Sequence, residues 1–104
     1  MKKEKWVELA KKNEKEIKEK IKETIKQAKK EQENDAVGVL MNEDGEVYIK
    51  QEPWNYLEYL FTDEDGILII SFDAWDENEE HLENKDYWAN FYYENFLEKL
   101  EKEF

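Results

Sequence analysis

The chain has 104 residues, 42% of them charged, with a net charge of −12 and an aromatic content of 14%. That length holds one modest core and excludes two independent domains, and the aromatic content outweighs the lean toward disorder that such charge density brings. Cysteine is absent and all sixteen basic residues are Lys, which excludes disulfides, a thiol nucleophile and Cys-ligated zinc, and argues against base reading through bidentate Arg contacts.

Residues 2–32 contain no Gly or Pro and consist mainly of strong helix formers. Trp6, Leu9, Ala10, Ile17, Ile21, Ile25 and Ala28 recur at spacings that place them on one narrow stripe, which predicts a long amphipathic helix with one side against the protein. Glu8 with Lys12, Glu14 with Lys18, and Glu16 with Lys20 are favourable i,i+4 pairs, each worth roughly 0.2–0.5 kcal/mol. Basic charge is concentrated in this segment. Twelve Lys against six Glu give residues 1–30 a net of +6, whereas four Lys against twenty-two Asp or Glu give residues 31–104 a net of −18.

Ala36–Met41 and Glu46–Lys50 are short β-favouring runs around Asn42-Glu-Asp-Gly45, which predicts a hairpin. The device repeats with Leu57–Thr62 and Ile67–Phe72 around Asp63-Glu-Asp-Gly66. Residues 36–75 are therefore expected to form a three- to four-stranded antiparallel meander. Within them, 52–61 admits two conformations. Pro53 followed by Trp54, Leu57, Leu60 and Phe61 fits a short helix, but strand is preferred because the second Asp-Gly turn needs a partner.

Asp76 to Asp86 is acidic and turn-like. Residues 85–103 then predict a second helix carrying Trp88, Phe91, Tyr92, Phe96, Leu97 and Leu100, with Phe104 beyond it. Tyr87 and Tyr93 widen its apolar face to about half the circumference, broader than a surface helix needs. The expectation is that the first helix and the sheet both pack on it, in preference to a face left for a partner. The predicted class is α+β: a long N-terminal helix, the meander, and a C-terminal helix, with the helices on one sheet face.

Catalytic material is sparse. One His, one Ser and two Thr leave little for a nucleophile pair, and three isolated Gly make no phosphate loop. His81, in Glu79-Glu-His-Leu-Glu83, fits an exposed position in an acidic loop. Asp63-Glu-Asp65 with Asp73 and Asp76 do not match the spacing of a calcium loop. The expectation is a non-enzymatic protein with no cofactor and no metal site. The N-terminal region lacks the apolar run of a secretory signal, and Ile67–Ile70 is too short to span a bilayer, so a soluble cytoplasmic protein without a membrane partner is expected. Direct nucleic-acid binding is disfavoured by the missing Arg, the Glu among the Lys and the acidic remainder.

The acidic part is the better lead to function. Fixed carboxylates interleaved with exposed Tyr and Trp can imitate phosphates and bases, and would steer the chain to a Lys/Arg-lined surface. The plainer account, that acidity keeps a small protein soluble, carries at least equal weight. In size, acidity and helix-plus-meander plan the chain resembles the small phage-encoded inhibitors, which include anti-CRISPR proteins and DNA-mimicking inhibitors of uracil glycosylase or restriction enzymes. Its basic N-terminal helix departs from the uniformly acidic mimics.

The expected partner is a basic protein such as a nucleic-acid enzyme. Asp63, Glu64, Asp65, Asp73, Asp76, Glu77, Glu79 and Glu80 would supply the attraction. Trp54, Trp75 and the aromatic helix would supply the anchors. Two alternatives share these features: an immunity or antitoxin-like protein neutralising a basic toxin, and a self-associating module whose Lys-rich helix meets another copy's acidic surface.

Overall fold

The computed structural model describes residues 3–28, 35–53, 61–62, 66–73 and 83–103. Its elements are α1 (Lys3–Lys12), α2 (Glu14–Ala28), β1 (Asp35–Met41), β2 (Val47–Pro53), β3 (Phe61–Thr62), β4 (Gly66–Asp73) and α3 (Lys85–Glu103).

The long N-terminal helix forms, with one irregular residue between α1 and α2. The Asn13 side-chain amide donates to the Leu9 carbonyl at 2.9 Å, the same oxygen that the Asn13 backbone N–H reaches at 3.0 Å. Asn in mid-helix competes in this way for a backbone acceptor and loosens the turn. The helical path then resumes, because Ile17 N–H donates to the Asn13 carbonyl at 2.9 Å. Residues 2 and 29–32 of the expected helix lie outside the described residues.

The predicted stripe faces inward from Trp6 to Ile25, while the side chain of Ala28 lies outside the described residues. Trp6, Ala10, Ile17, Ile21 and Ile25 are buried, with Val7 and Leu9 packed at its margin. Each fully buried Ile contributes about 1.5–3 kcal/mol, well above what the i,i+4 pairs add. Thr24 is buried beside them, its hydroxyl satisfied by donation to the Lys20 carbonyl at 2.7 Å.

The strands of both expected hairpins pair, with 63–65 of the second turn outside the described residues. β1 pairs with β2 from Met41↔Val47 outward, and β3 pairs with β4 through Thr62↔Gly66 and Phe61↔Ile67. Their arrangement departs from a simple meander. The sheet is antiparallel with strand order β2-β1-β4-β3, so the hairpins join through β1 and β4. Turn chemistry fixes partners only within a hairpin. The docking of one hairpin on the other follows burial, and the apolar strands β1 and β4 take the centre. β2, with Lys50, Gln51, Glu52 and Pro53, suits an edge, where Pro and charge are tolerated. Of residues 52–61, Glu52 and Pro53 end β2 and Phe61 begins β3, while 54–60 lie outside the described residues.

The register slips once. Val39 faces Ile70 but Leu40 faces Leu68, which leaves Ile69 as the extra residue of a bulge in β4. The slip shifts the phase of the alternation. Ile67, Ile69, Ile70 and Phe72 all join the core shared with the helices, whereas Leu68 packs with Leu40 and Tyr48 as a second cluster.

α3 runs antiparallel to the N-terminal helix. Lys22 meets Asp86 at 2.6 Å near one end, the Tyr93 hydroxyl donates to the Ala10 carbonyl at 3.1 Å midway, and Lys3 Nζ donates to the Glu101 carbonyl at 3.1 Å near the other. That last bond satisfies a carbonyl in the final turn of α3, where helical partners run out. α3 also packs on β4, so the helices form one layer over the sheet. The α+β class with helices against the sheet holds.

Candidate interaction surface

The first hairpin turn sets one end of the described surface. Asn42 Oδ1 accepts from the backbone N–H groups of Asp44 and Glu46 at 3.0 Å each, and Gly45 N–H donates to the Asn42 carbonyl at 3.0 Å. This is an Asx-stabilised three-residue loop, whose last position calls for a left-handed residue. Gly45 supplies it with φ +84. A Cβ there would lie 3.1 Å from Asn13 Nδ2 and 3.2 Å from Leu9 Cδ2, so the hairpin tip rests on the irregular turn of the helix.

Lysines of the N-terminal helix face the chain's own acceptors. Lys18 meets Glu14 at 2.9 Å, Lys20 meets Glu23 at 3.8 Å, Lys5 meets Glu8 at 3.9 Å, and Lys22 bridges Glu19 at 3.3 Å and Asp86 at 2.6 Å. Lys11 reaches Glu101 at 3.9 Å. With Lys3, these make six of the nine Lys in residues 3–28 engaged within the molecule. The hydrogen bond from Lys22 holds Asp86 below the usual carboxylate range, and Asp86 in turn raises Lys22. Lys85, by contrast, is lowered by desolvation and by the neighbouring charge of Lys26.

One polar cluster built around a buried tyrosine couples the two helices. Tyr93 is 1% exposed, with Lys18 Nζ 5.1 Å from its ring centroid and Glu14 close by. Burial first, then the charge of Glu14, pushes the Tyr93 hydroxyl up to about 12. Glu14 itself is lowered, chiefly by its hydrogen bond from Lys18.

The outer side of α3 is of a different character. Ala89, Tyr93, Phe96 and Leu100 make its buried arc. At 100° per residue, Tyr87, Phe91, Glu94 and Glu98 line up on the opposite side. Tyr87 is 61% and Phe91 41% exposed, the large apolar side chains left open among the described residues. Their rings stack at 6.4 Å with planes 17° apart. Phe91 contacts Trp88 at 5.3 Å and Tyr92 at 5.4 Å, and Tyr92 contacts the core ring of Phe72 at 5.3 Å. The exposed pair is thus held by an aromatic chain rooted in the core. The first helix and the sheet do pack on α3 as expected, yet its apolar face exceeds what they cover.

Of the residues expected to bind a partner, Asp73 lies at the end of β4, opposite Ala36 of β1. Asp63, Glu64, Asp65, Asp76, Glu77, Glu79, Glu80, Trp54 and Trp75 lie outside the described residues, as does His81. No group of three or more His, Cys, Asp or Glu that could hold a metal occurs among the described residues. A shallow depression of about 450 Å³ runs along the helix from Lys12 to Glu23, where Lys20 and Glu23 neutralise each other. No helix among the described residues is long and apolar enough to cross a membrane.

No family model, no curated protein and no solved structure matches this chain.

Proposed function

We propose that this chain is a non-enzymatic acidic protein that binds and blocks a basic, nucleic-acid-handling surface of another protein, in the manner of a phage-encoded inhibitor of a host defence or DNA/RNA enzyme. The observation that carries this reading is how the charge is distributed and used. Six of the nine Lys in residues 3–28 bond to the chain's own acceptors, and residues 31–104 carry a net of −18. The positive helix is occupied at home while the negative excess remains for a partner.

Long-range attraction between this excess and a Lys/Arg-rich surface gives fast, salt-sensitive association. The carboxylates of 63–65 and 73–80 supply that field, and Trp54 and Trp75 add anchoring. The site of action is the cytoplasm, where such a target works.

The test is affinity capture with the full chain from a host lysate, at low salt and again at high salt, with duplex DNA as competitor. A basic nucleic-acid-handling protein should be retained at low salt, released as the Debye length shrinks, and displaced by the DNA. Recovery of neutral or acidic partners with equal yield at both salts overturns the reading.

A further inference from the structure

The geometry of α3 points to a specific docking surface: we propose that the line Tyr87, Phe91, Glu94 and Glu98 seats arginine side chains of another protein. The proposal rests on the acidic-blocker reading and names its contact face. Two stacked rings end a chain of ring contacts that begins in the core at Phe72, so they lose little freedom on binding. Carboxylates follow at the next two positions of the same line, which spans about 16 Å from Tyr87 to Glu98 at about 1.5 Å per residue. Glu94 makes no ion pair among the described residues, and Glu98 shares Lys102 at 2.7 Å.

A guanidinium suits this array better than an ammonium. It is planar, it stacks on aromatic faces, and its N–H fork meets a carboxylate in bidentate fashion. The complementary surface is not a second copy of this chain. The chain contains no Arg, six of the nine Lys in residues 3–28 are paired within the molecule, and copies of net charge −12 repel.

The experiment is an amide-resonance titration of the labelled full chain with octa-arginine and, separately, octa-lysine at low salt. Shifts should centre on residues 87–98, and octa-arginine should bind more tightly than octa-lysine. The double variant Tyr87→Ser, Phe91→Ser should weaken octa-arginine binding about tenfold or more, as loss of aromatic anchors does. Loss of the Phe91 contacts with Trp88 and Tyr92 lowers its thermal midpoint, so binding is compared well below that midpoint, where a dispersed amide spectrum shows the variant folded. Equal affinity for the two peptides, shifts confined to residues outside α3, or unchanged binding by the double variant overturns the proposal. So does sedimentation that finds a dimer which the double variant dissociates, since the face would then belong to a second copy. A basic partner captured equally well by parent and double variant overturns this surface and leaves the blocker reading standing. Arginine-selective binding at α3 without any salt-sensitive basic partner does the reverse.

Discussion

Gly45 and Gly66 each follow an Asp and each have positive φ, yet Gly45 ends a loop, Gly66 is paired with Thr62 in β4, and their surroundings differ. Gly66 has φ +100, and a Cβ there would strike the Met41 carbonyl and lie 2.8 Å from Asn42 Cα, both backbone atoms. At Gly45 the neighbours are the ends of the Asn13 and Leu9 side chains, at 3.1 and 3.2 Å, which can yield. Gly66→Ala should therefore destabilise by more than about 3 kcal/mol, and Gly45→Ala by about 1–2 kcal/mol from its φ alone. Denaturant midpoints of the two variants check this; an equal loss would contradict the steric account. Tyr93 makes a second residue-scale prediction. Its hydroxyl is raised from 10.0 to about 12 in the folded state, so the stability it contributes is complete below pH 10 and lost as pH rises toward 12. Absorbance titration should show a late tyrosinate that is lost in Tyr93→Phe, and the parent's extra loss of stability over that interval should vanish in the variant.

At the scale of elements, much was legible because it depends on local signals. The α3 bounds, Lys85–Glu103, follow from apolar spacing, and both hairpins follow from Asp-Gly between β-favouring runs. Three features were not legible. The irregular turn at Asn13 arises from a side chain sharing the Leu9 carbonyl, a competition that the surrounding helix-forming residues conceal. The β1–β4 pairing is non-local, and no turn encodes it. The composition of α3 showed too many aromatics for one face, but which rings stay outside depends on the arc that Ala89, Tyr93, Phe96 and Leu100 turn inward. The candidate acidic residues of 63–65 and 76–80 were chosen by charge density alone, a property of sequence that carries no position. The one that can be placed, Asp73, falls at the end of a central strand.

For the whole molecule, net charge sets two salt responses of opposite sign. Self-repulsion at −12 destabilises the compact state, and the ion pairs that oppose it are exposed and contribute little. Raising ionic strength from about 0.01 M to about 0.15 M shortens the Debye length from about 30 Å to about 8 Å. The thermal midpoint should rise over that interval while affinity for a basic partner falls. A midpoint that drops instead, measured by circular dichroism, would mean that the helix–helix pairs outweigh the repulsion.

The strand order has a consequence for how the chain is assembled. The first half runs helix then hairpin, the second hairpin then helix, and the halves meet along one seam where β1 lies against β4 and the N-terminal helix against α3. Neither half encloses its own apolar face: Ile17, Ile21 and Ile25 need Ile67 and Phe96 as much as these need them. The molecule is in this sense a dimer written on a single strand of chain, and a cut between the hairpins would leave two pieces whose complete interior exists only when they are together.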